Sequence, residues 1–201
     1  MEMKIKKSKK LDIRLLSGMR QVFYDKNWLK KQKDFEVYRV FRGIKEKDNL
    51  TYDITVIPPK MLGKEFIRTK GNLNSKGFQE LYNVLEGEAI LLMQRGEKNK
   101  IKDVFAVRAK KGDYVIIPPY YYVITINPLK KTLRIGNWVS RKTKNIYEIL
   151  ERMKGACYFY TKSGWIKNKN YKIVPKLRFK KSLKEMPKNL DFLKIITKKP
   201  R

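Results

Sequence analysis

Histidine is missing from all 201 residues, and cysteine occurs once, as Cys157. The first absence removes the side chain that most often holds a transition metal and most often moves protons near neutral pH. The second rules out an internal disulfide and suits a reducing interior, with Cys157 expected as a small buried apolar residue in a strand. Long apolar runs are lacking too. None approaches the roughly 20 residues that span a bilayer, and the basic N-terminus leads into no apolar segment of the kind a secretory signal carries. The expected setting is cytoplasmic, away from membranes. Acids are scarce: 19 Asp and Glu face 49 Lys and Arg, for a formal charge of +30. Such a field attracts polyanions and weakens with salt. It is equally compatible with a solvated lysine-rich surface, so charge alone names no function.

What is present suits one domain with extensions, since 201 residues that are 42% apolar can bury a real core. Apolar and aromatic residues with interleaved polar ones predict strands at 35–41, 50–57, 66–69, 81–85, 89–93, 104–109, 114–117, 121–126 and 133–139. In 50–57, Thr51, Asp53 and Thr55 share one face while Tyr52, Ile54 and Val56 share the other. Pro58-Pro59 ends that strand, because proline cannot donate to a ladder. Short strands punctuated by turns such as Lys111-Gly112-Asp113 favour a barrel or sandwich over a layered α/β fold. A turn or short helix is expected ahead of them, between Lys9 and Lys30. Residues 145–154 read as an amphipathic helix, with Ile146, Ile149, Leu150 and Met153 at i, i+3, i+4 and i+7 and Gly155 as its stop.

The chain divides into a basic N-terminal segment (1–34), a barrel (35–160) and a basic arm (161–201). A strand near 157–161 leads into the arm, which runs extended, with Pro175, Pro187 and Pro200 arguing against a long helix. It carries 14 Lys or Arg against 2 acids, with Trp165, Tyr171, Phe179 and Phe192 dispersed among them. Lysines with scattered aromatics suit phosphate backbones and base stacking, so nucleic acid is a possible partner.

Two stretches carry the chemistry. The first reads Thr69-Lys70-Gly71-Asn72-Leu73-Asn74, then Glu80-Leu81-Tyr82, then Gly87; the second runs from Gly112 through Pro118-Pro119-Tyr120 to Thr125-Ile126-Asn127. The pair resembles the two motifs of a cupin, a double-stranded β-helix or jelly-roll barrel. Together with 14–19 and 35–40 upstream, and 170–172 and 174–178 downstream, it is similar to the archaeal, cupin-type glucose-6-phosphate isomerases. That resemblance implies a mainly β fold, a homodimer and a sugar-phosphate ligand of glycolysis or gluconeogenesis. It also implies phosphate contacts from Tyr38, Thr55, Thr69 and Gly71, and sugar contacts from Glu80, as catalytic base, and Tyr82. Hydroxyls and a glycine that permits close backbone approach suit phosphate oxygens.

The same resemblance implies a divalent metal such as iron, held by three histidines and a glutamate. Here Asn72, Asn74 and Val123 stand where the histidines would, and only Glu80 keeps its type. No metal cofactor is therefore expected, although Asn72, Asn74 and Glu80 could be imagined around Mg²⁺ or Ca²⁺. A further family histidine falls near Asn145, and a family tyrosine on Trp138 or Val139. Glu80 could alternatively be a surface strand carboxylate paired with one of many lysines. The expectation is a diverged family member that binds a sugar phosphate with little or no metal-dependent isomerase activity. The alternatives are an active aldose–ketose isomerase with a remodelled site and a nucleic-acid-binding module.

Overall fold

Alternation along the chain becomes two facing sheets. The computed structural model describes residues 8–199; residues 1–7 of the expected N-terminal segment, and the last two of the arm, lie outside them. The strands run β1 (Lys10–Leu15), β2 (Glu36–Lys47), β3 (Leu50–Ile57), β4 (Met61–Leu62), β5 (Glu65–Phe66), β6 (Leu73–Asn74), β7 (Glu80–Glu86) and β8 (Glu88–Glu97). They continue as β9 (Lys100–Lys110), β10 (Tyr114–Ile117), β11 (Tyr122–Ile126), β12 (Leu133–Ser140), β13 (Asn145–Ile146), β14 (Tyr158–Thr161), β15 (Gly164–Lys167) and β16 (Arg178–Lys180). Two five-residue helices, α1 (Lys26–Lys30) and α2 (Glu148–Arg152), complete the regular structure with three 3₁₀ turns. No described helix is long and apolar enough to cross a membrane.

One of the two large facing sheets is six-stranded, in the order β1-β2-β3-β12-β7-β10, and its partner is four-stranded, β11-β8-β9-β16; β15-β14-β5-β4 and the pair β13-β6 form two further sheets. Successive strands β7 and β8 lie in different sheets, as do β10 and β11, so the chain shuttles between layers. That shuttling is the jelly roll of a cupin. Among the described strands, pairing is antiparallel except where β16 joins β9 in parallel, and an isolated parallel bridge links Lys100 to Ile173. Inward positions, among them Val37, Val40, Val84, Leu91, Met93, Val107, Val115, Val123 and Ile135, form one buried core between the sheets. Each such side chain contributes roughly 1.5–3 kcal/mol on burial.

Both outer faces are covered by the C-terminal part of the chain. On the four-stranded sheet, Ile90, Leu92, Tyr122, Ile124 and Ile126 pack under Leu150 and Met153 and under Cys157, Tyr158 and Tyr171. On the six-stranded sheet, Leu50 and Leu81 pack under Leu190, Phe192 and Leu193 of the arm. Cys157 is fully buried just ahead of β14, and that burial pushes its thiol pKa up.

Three elements depart from the sequence-based expectation. The helix over 145–154 shrinks to Glu148–Arg152, because Asn145 and Ile146 pair instead with Asn74 and Leu73 in a two-stranded ladder. The region before the barrel supplies an edge strand, β1, as well as the expected turn and short helix. Residues 67–69 do not continue β5. They turn inward, with Thr69 N–H donating to the Thr125 carbonyl at 2.9 Å.

Candidate functional site

A polar pocket interrupts the apolar core. Along β7, Glu80 and Tyr82 share a face with core residue Val84; along β12, Asn137 follows Leu133 and Ile135; along β3, Thr55 precedes Ile57. These inward polar residues line a cavity of about 60 Å³ together with Tyr38, Thr69, Gly71, Asn72, Asn74, Thr125, Asn145, Tyr147, Arg14 and Arg42. The volume is several times the ~10–15 Å³ that one water requires. Tyr38, Thr55, Asn74, Glu80, Tyr82 and Asn137 are buried, while Asn145 is exposed and Asn72 half-buried. At that outer end Asn72 Nδ2 donates to Asn145 Oδ1 at 3.1 Å.

One wall gathers hydroxyls, a glycine turn and two arginines. Thr69 Oγ1 accepts the Thr125 N–H at 3.0 Å, which turns the hydroxyl proton of Thr69 away from that bond and leaves it free to donate. Gly71 sits at φ +83°, and a Cβ there would lie 2.7 Å from Ile124 and 2.9 Å from Leu150. Only glycine gives this turn. Desolvation raises the pKa of Tyr38, so it is a neutral hydroxyl. Arg42 is taken up by Asp53 at 2.7 Å and Asp12 at 3.0 Å. Arg14, which also lines the cavity, makes no ion pair among the described residues. Lys70, next to Gly71 in the chain, turns out to Glu151 at 2.6 Å.

The floor holds a carboxyl with unusual protonation. Burial raises the Glu80 pKa from 4.5 to about 7, against the opposing influence of Tyr82, Asn137, Asn74 and the Arg42 charge. Asn137 Nδ2 donates to Glu80 Oε2 at 2.9 Å. The Tyr82 pKa is raised well above its ordinary value, first by desolvation and then by the Glu80 charge and hydrogen bond, so it too remains a neutral donor. The surface-carboxylate reading of Glu80 is thereby corrected, since Glu80 is buried and bonded to neutral amide and hydroxyl groups.

The donor set does not fit the metal that the resemblance implies. Val123 belongs to the apolar core and has no ligand atom. Asn72 directs its amide nitrogen to Asn145. Asn74 presents one buried amide oxygen that accepts no hydrogen bond among the described residues. Beside it stands a single carboxylate, Glu80. Imidazole-favouring metals lack a soft donor here, and Ca²⁺ would lack most of its six to eight oxygens.

The structure thus brings together Tyr38, Thr55, Thr69, Gly71, Asn72, Asn74, Glu80 and Tyr82 around one cavity and leaves Val123 in the core. Between Trp138 and Val139 it places Val139 in the cavity and turns Trp138 outward against Tyr52, ring centroids 5.0 Å apart. Sequence reasoning passed over Arg14, Arg42, Asn137 and Tyr147. Asn137 had a signal: it is the polar member of an otherwise apolar inward series, 133, 135, 137 and 139.

A family model described as glucose-6-phosphate isomerase (GPI) matches residues 14–176. Among curated proteins, glucose-6-phosphate isomerase of Pyrococcus abyssi is 35% identical over 122 residues, covering 57% of this chain and 62% of that protein. The enzyme of the same name from Thermococcus litoralis is 34% identical over 125 residues, covering 59% and 63%. The chain therefore aligns with somewhat under two thirds of the length of these relatives. Among solved structures, an oxalate oxidase overlaps 55% of each chain at 11% identity, with a TM-score of 0.44.

Proposed function

We propose, from the premise that the chain belongs to the glucose-6-phosphate isomerase family, that it binds a sugar phosphate between its sheets with little or no metal-dependent isomerase activity. One observation carries this reading. Tyr38, Thr55, Thr69 and Gly71 converge on a cavity that also holds Asn72 and Asn74 where the family has imidazoles, while Val123, at the third such position, lies in the apolar core. Threonine and tyrosine hydroxyls can donate to phosphate oxygens, and Arg14 supplies charge. Lost with the histidines is the cation that would stabilise negative charge on the sugar oxygens during enolisation. A Lewis acid contributes several kcal/mol to such a step, and about 1.4 kcal/mol is tenfold in rate.

Thermal unfolding with and without ligand tests the reading. Fructose 6-phosphate is expected to raise Tm while fructose does not, and Thr69→Ala is expected to lose most of that shift. Equal shifts from both sugars would refute it.

Glu80 supports a second reading, residual aldose–ketose isomerisation. A buried carboxyl titrating near 7 is poised to take a proton from one sugar carbon and return it to the next. Tyr82 and Asn137 would orient it. Turnover of fructose 6-phosphate that Glu80→Gln abolishes would establish that activity; turnover surviving the change would come from elsewhere. The expected homodimer has an apolar edge available, because Leu11, Ile13 and Leu15 stand 45–49% exposed along β1. Sedimentation of the parent and of Ile13→Glu distinguishes a dimer through this edge from a monomer.

A further inference from the structure

We infer that the Asn74 side of the cavity takes a hydrogen-bond donor from its ligand, and so selects a polyol phosphate over a keto-sugar phosphate or a sugar-acid phosphate. The inference rests on the phosphate reading above and goes further by naming the class of compound. Its basis is an orphaned acceptor. Asn74 is 5% exposed, it lines the cavity, and its Oδ1 has no partner among the described residues. Its Nδ2 is turned elsewhere, toward the Phe78 carbonyl at 3.5 Å and the Glu80 carboxylate. Buried acceptors without partners are rare in folded proteins and costly to keep. A ligand hydroxyl would satisfy this one.

The neighbouring donors are already committed. Asn137 donates to Glu80, and Tyr82 is hydrogen-bonded to the same carboxyl group, so the amide and phenol protons beside Asn74 are already engaged. A carbonyl or carboxylate oxygen in that corner would bring lone pairs against lone pairs. A family histidine cluster with its cation would attract such an oxygen; here the sense of recognition is reversed. An ammonium group could also donate to Asn74, but Arg14 and Arg42 line the same cavity and oppose a second cation. A neutral hydroxyl meets both conditions.

The test is calorimetric titration of the full chain with inorganic phosphate, glucitol 6-phosphate, fructose 6-phosphate and 6-phosphogluconate. Glucitol 6-phosphate is expected to bind about tenfold more tightly than either of the other two organic phosphates, a difference of about 1.4 kcal/mol. Asn74→Leu, which removes the acceptor, is expected to level the three. Asn74→Asp, which keeps an acceptor, is expected to retain the order and to reject 6-phosphogluconate further. Glucitol 6-phosphate binding no better than 6-phosphogluconate would overturn the inference. So would an unchanged order in Asn74→Leu, or stabilisation by Mg²⁺ or Ca²⁺ that this variant loses, since the oxygen would then be a cation ligand. If none of the phosphates binds, the phosphate reading itself fails; a flat order among compounds that do bind overturns this inference alone.

Discussion

At the scale of single residues, Glu80 concentrates the tension in the site. Its pKa in the folded chain, about 7, lies above the ordinary 4.5, so the folded state holds the proton more tightly than the unfolded state does. The stability associated with the protonated form is fully present below about 4.5 and is lost as pH rises to about 7. Over that window the rise corresponds to a cost on the order of 3 kcal/mol. Glu80→Gln carries no such penalty. Denaturant titration should therefore show the variant gaining on the parent between pH 4.5 and 7 and holding a constant lead above pH 7. A pH-independent difference would mean that Glu80 titrates normally. The motif resemblance pointed to Glu80, Tyr82 and Thr55, but strand alternation did not place them inward: it set Thr55 on the polar face of 50–57 and left Glu80 open to a surface position. Arg42 was not legible, since its place depends on Asp53 and Asp12, which reach it from other strands.

Among elements, strands were legible and their ends less so. Strands β3 and β10 begin and end where the run of strand-forming residues and the turn residues put them, because proline closes β3 and a glycine turn opens β10; β10 alternates between a buried and a less buried face, whereas β3 is buried on both. The helix ahead of Gly155 was overcalled for a physical reason: Ile146 satisfies a helical period and a strand pairing equally well, and β6 decides between them. Also illegible was the clamp that fixes the N-terminal segment. Arg68 and Glu65, 3% and 0% exposed at their side chains, pair at 2.5 Å. Arg68 also donates to the Val22 carbonyl at 2.5 Å and the Thr69 carbonyl at 3.0 Å, and Glu65 accepts the Tyr24 N–H at 2.8 Å. This pair ties the turn before α1 to the backbone at Thr69, which lines the cavity. Arg68→Met would leave Glu65 buried without a counter-charge, at a cost of about 3–5 kcal/mol. The double variant Glu65→Gln/Arg68→Met should recover part of that loss. Chemical denaturation of the three proteins measures it, and an unchanged midpoint in Arg68→Met would show the clamp to be dispensable.

Over the whole molecule, the basic arm is part of the fold, whatever else it contacts. Trp165 packs on Tyr160 with ring centroids 4.7 Å apart, Tyr171 is buried, and Phe192 sits against the outer face of the six-stranded sheet. Of the four dispersed aromatics, Phe179 alone is largely exposed, at 67%. The arm thus places Tyr171, Leu190, Phe192 and Leu193 against the sheets, while its lysines, together with Ile173, Leu183, Met186, Ile195 and Ile196, stay in solvent. With 49 basic residues against 19 acids, those lysines repel one another and oppose the compact state. Salt shortens the reach of that repulsion to about 10 Å at 0.1 M. Sodium chloride should therefore raise Tm, and by the same amount in the parent and in Thr69→Ala, because the relief is spread over the surface. Stabilisation by a sugar phosphate at fixed ionic strength should differ, being present in the parent and largely lost in the variant. Scanning both proteins against both additives separates the field of the whole chain from the cavity within it; a Thr69→Ala protein that responds to the sugar phosphate as the parent does would assign all anion binding to the surface.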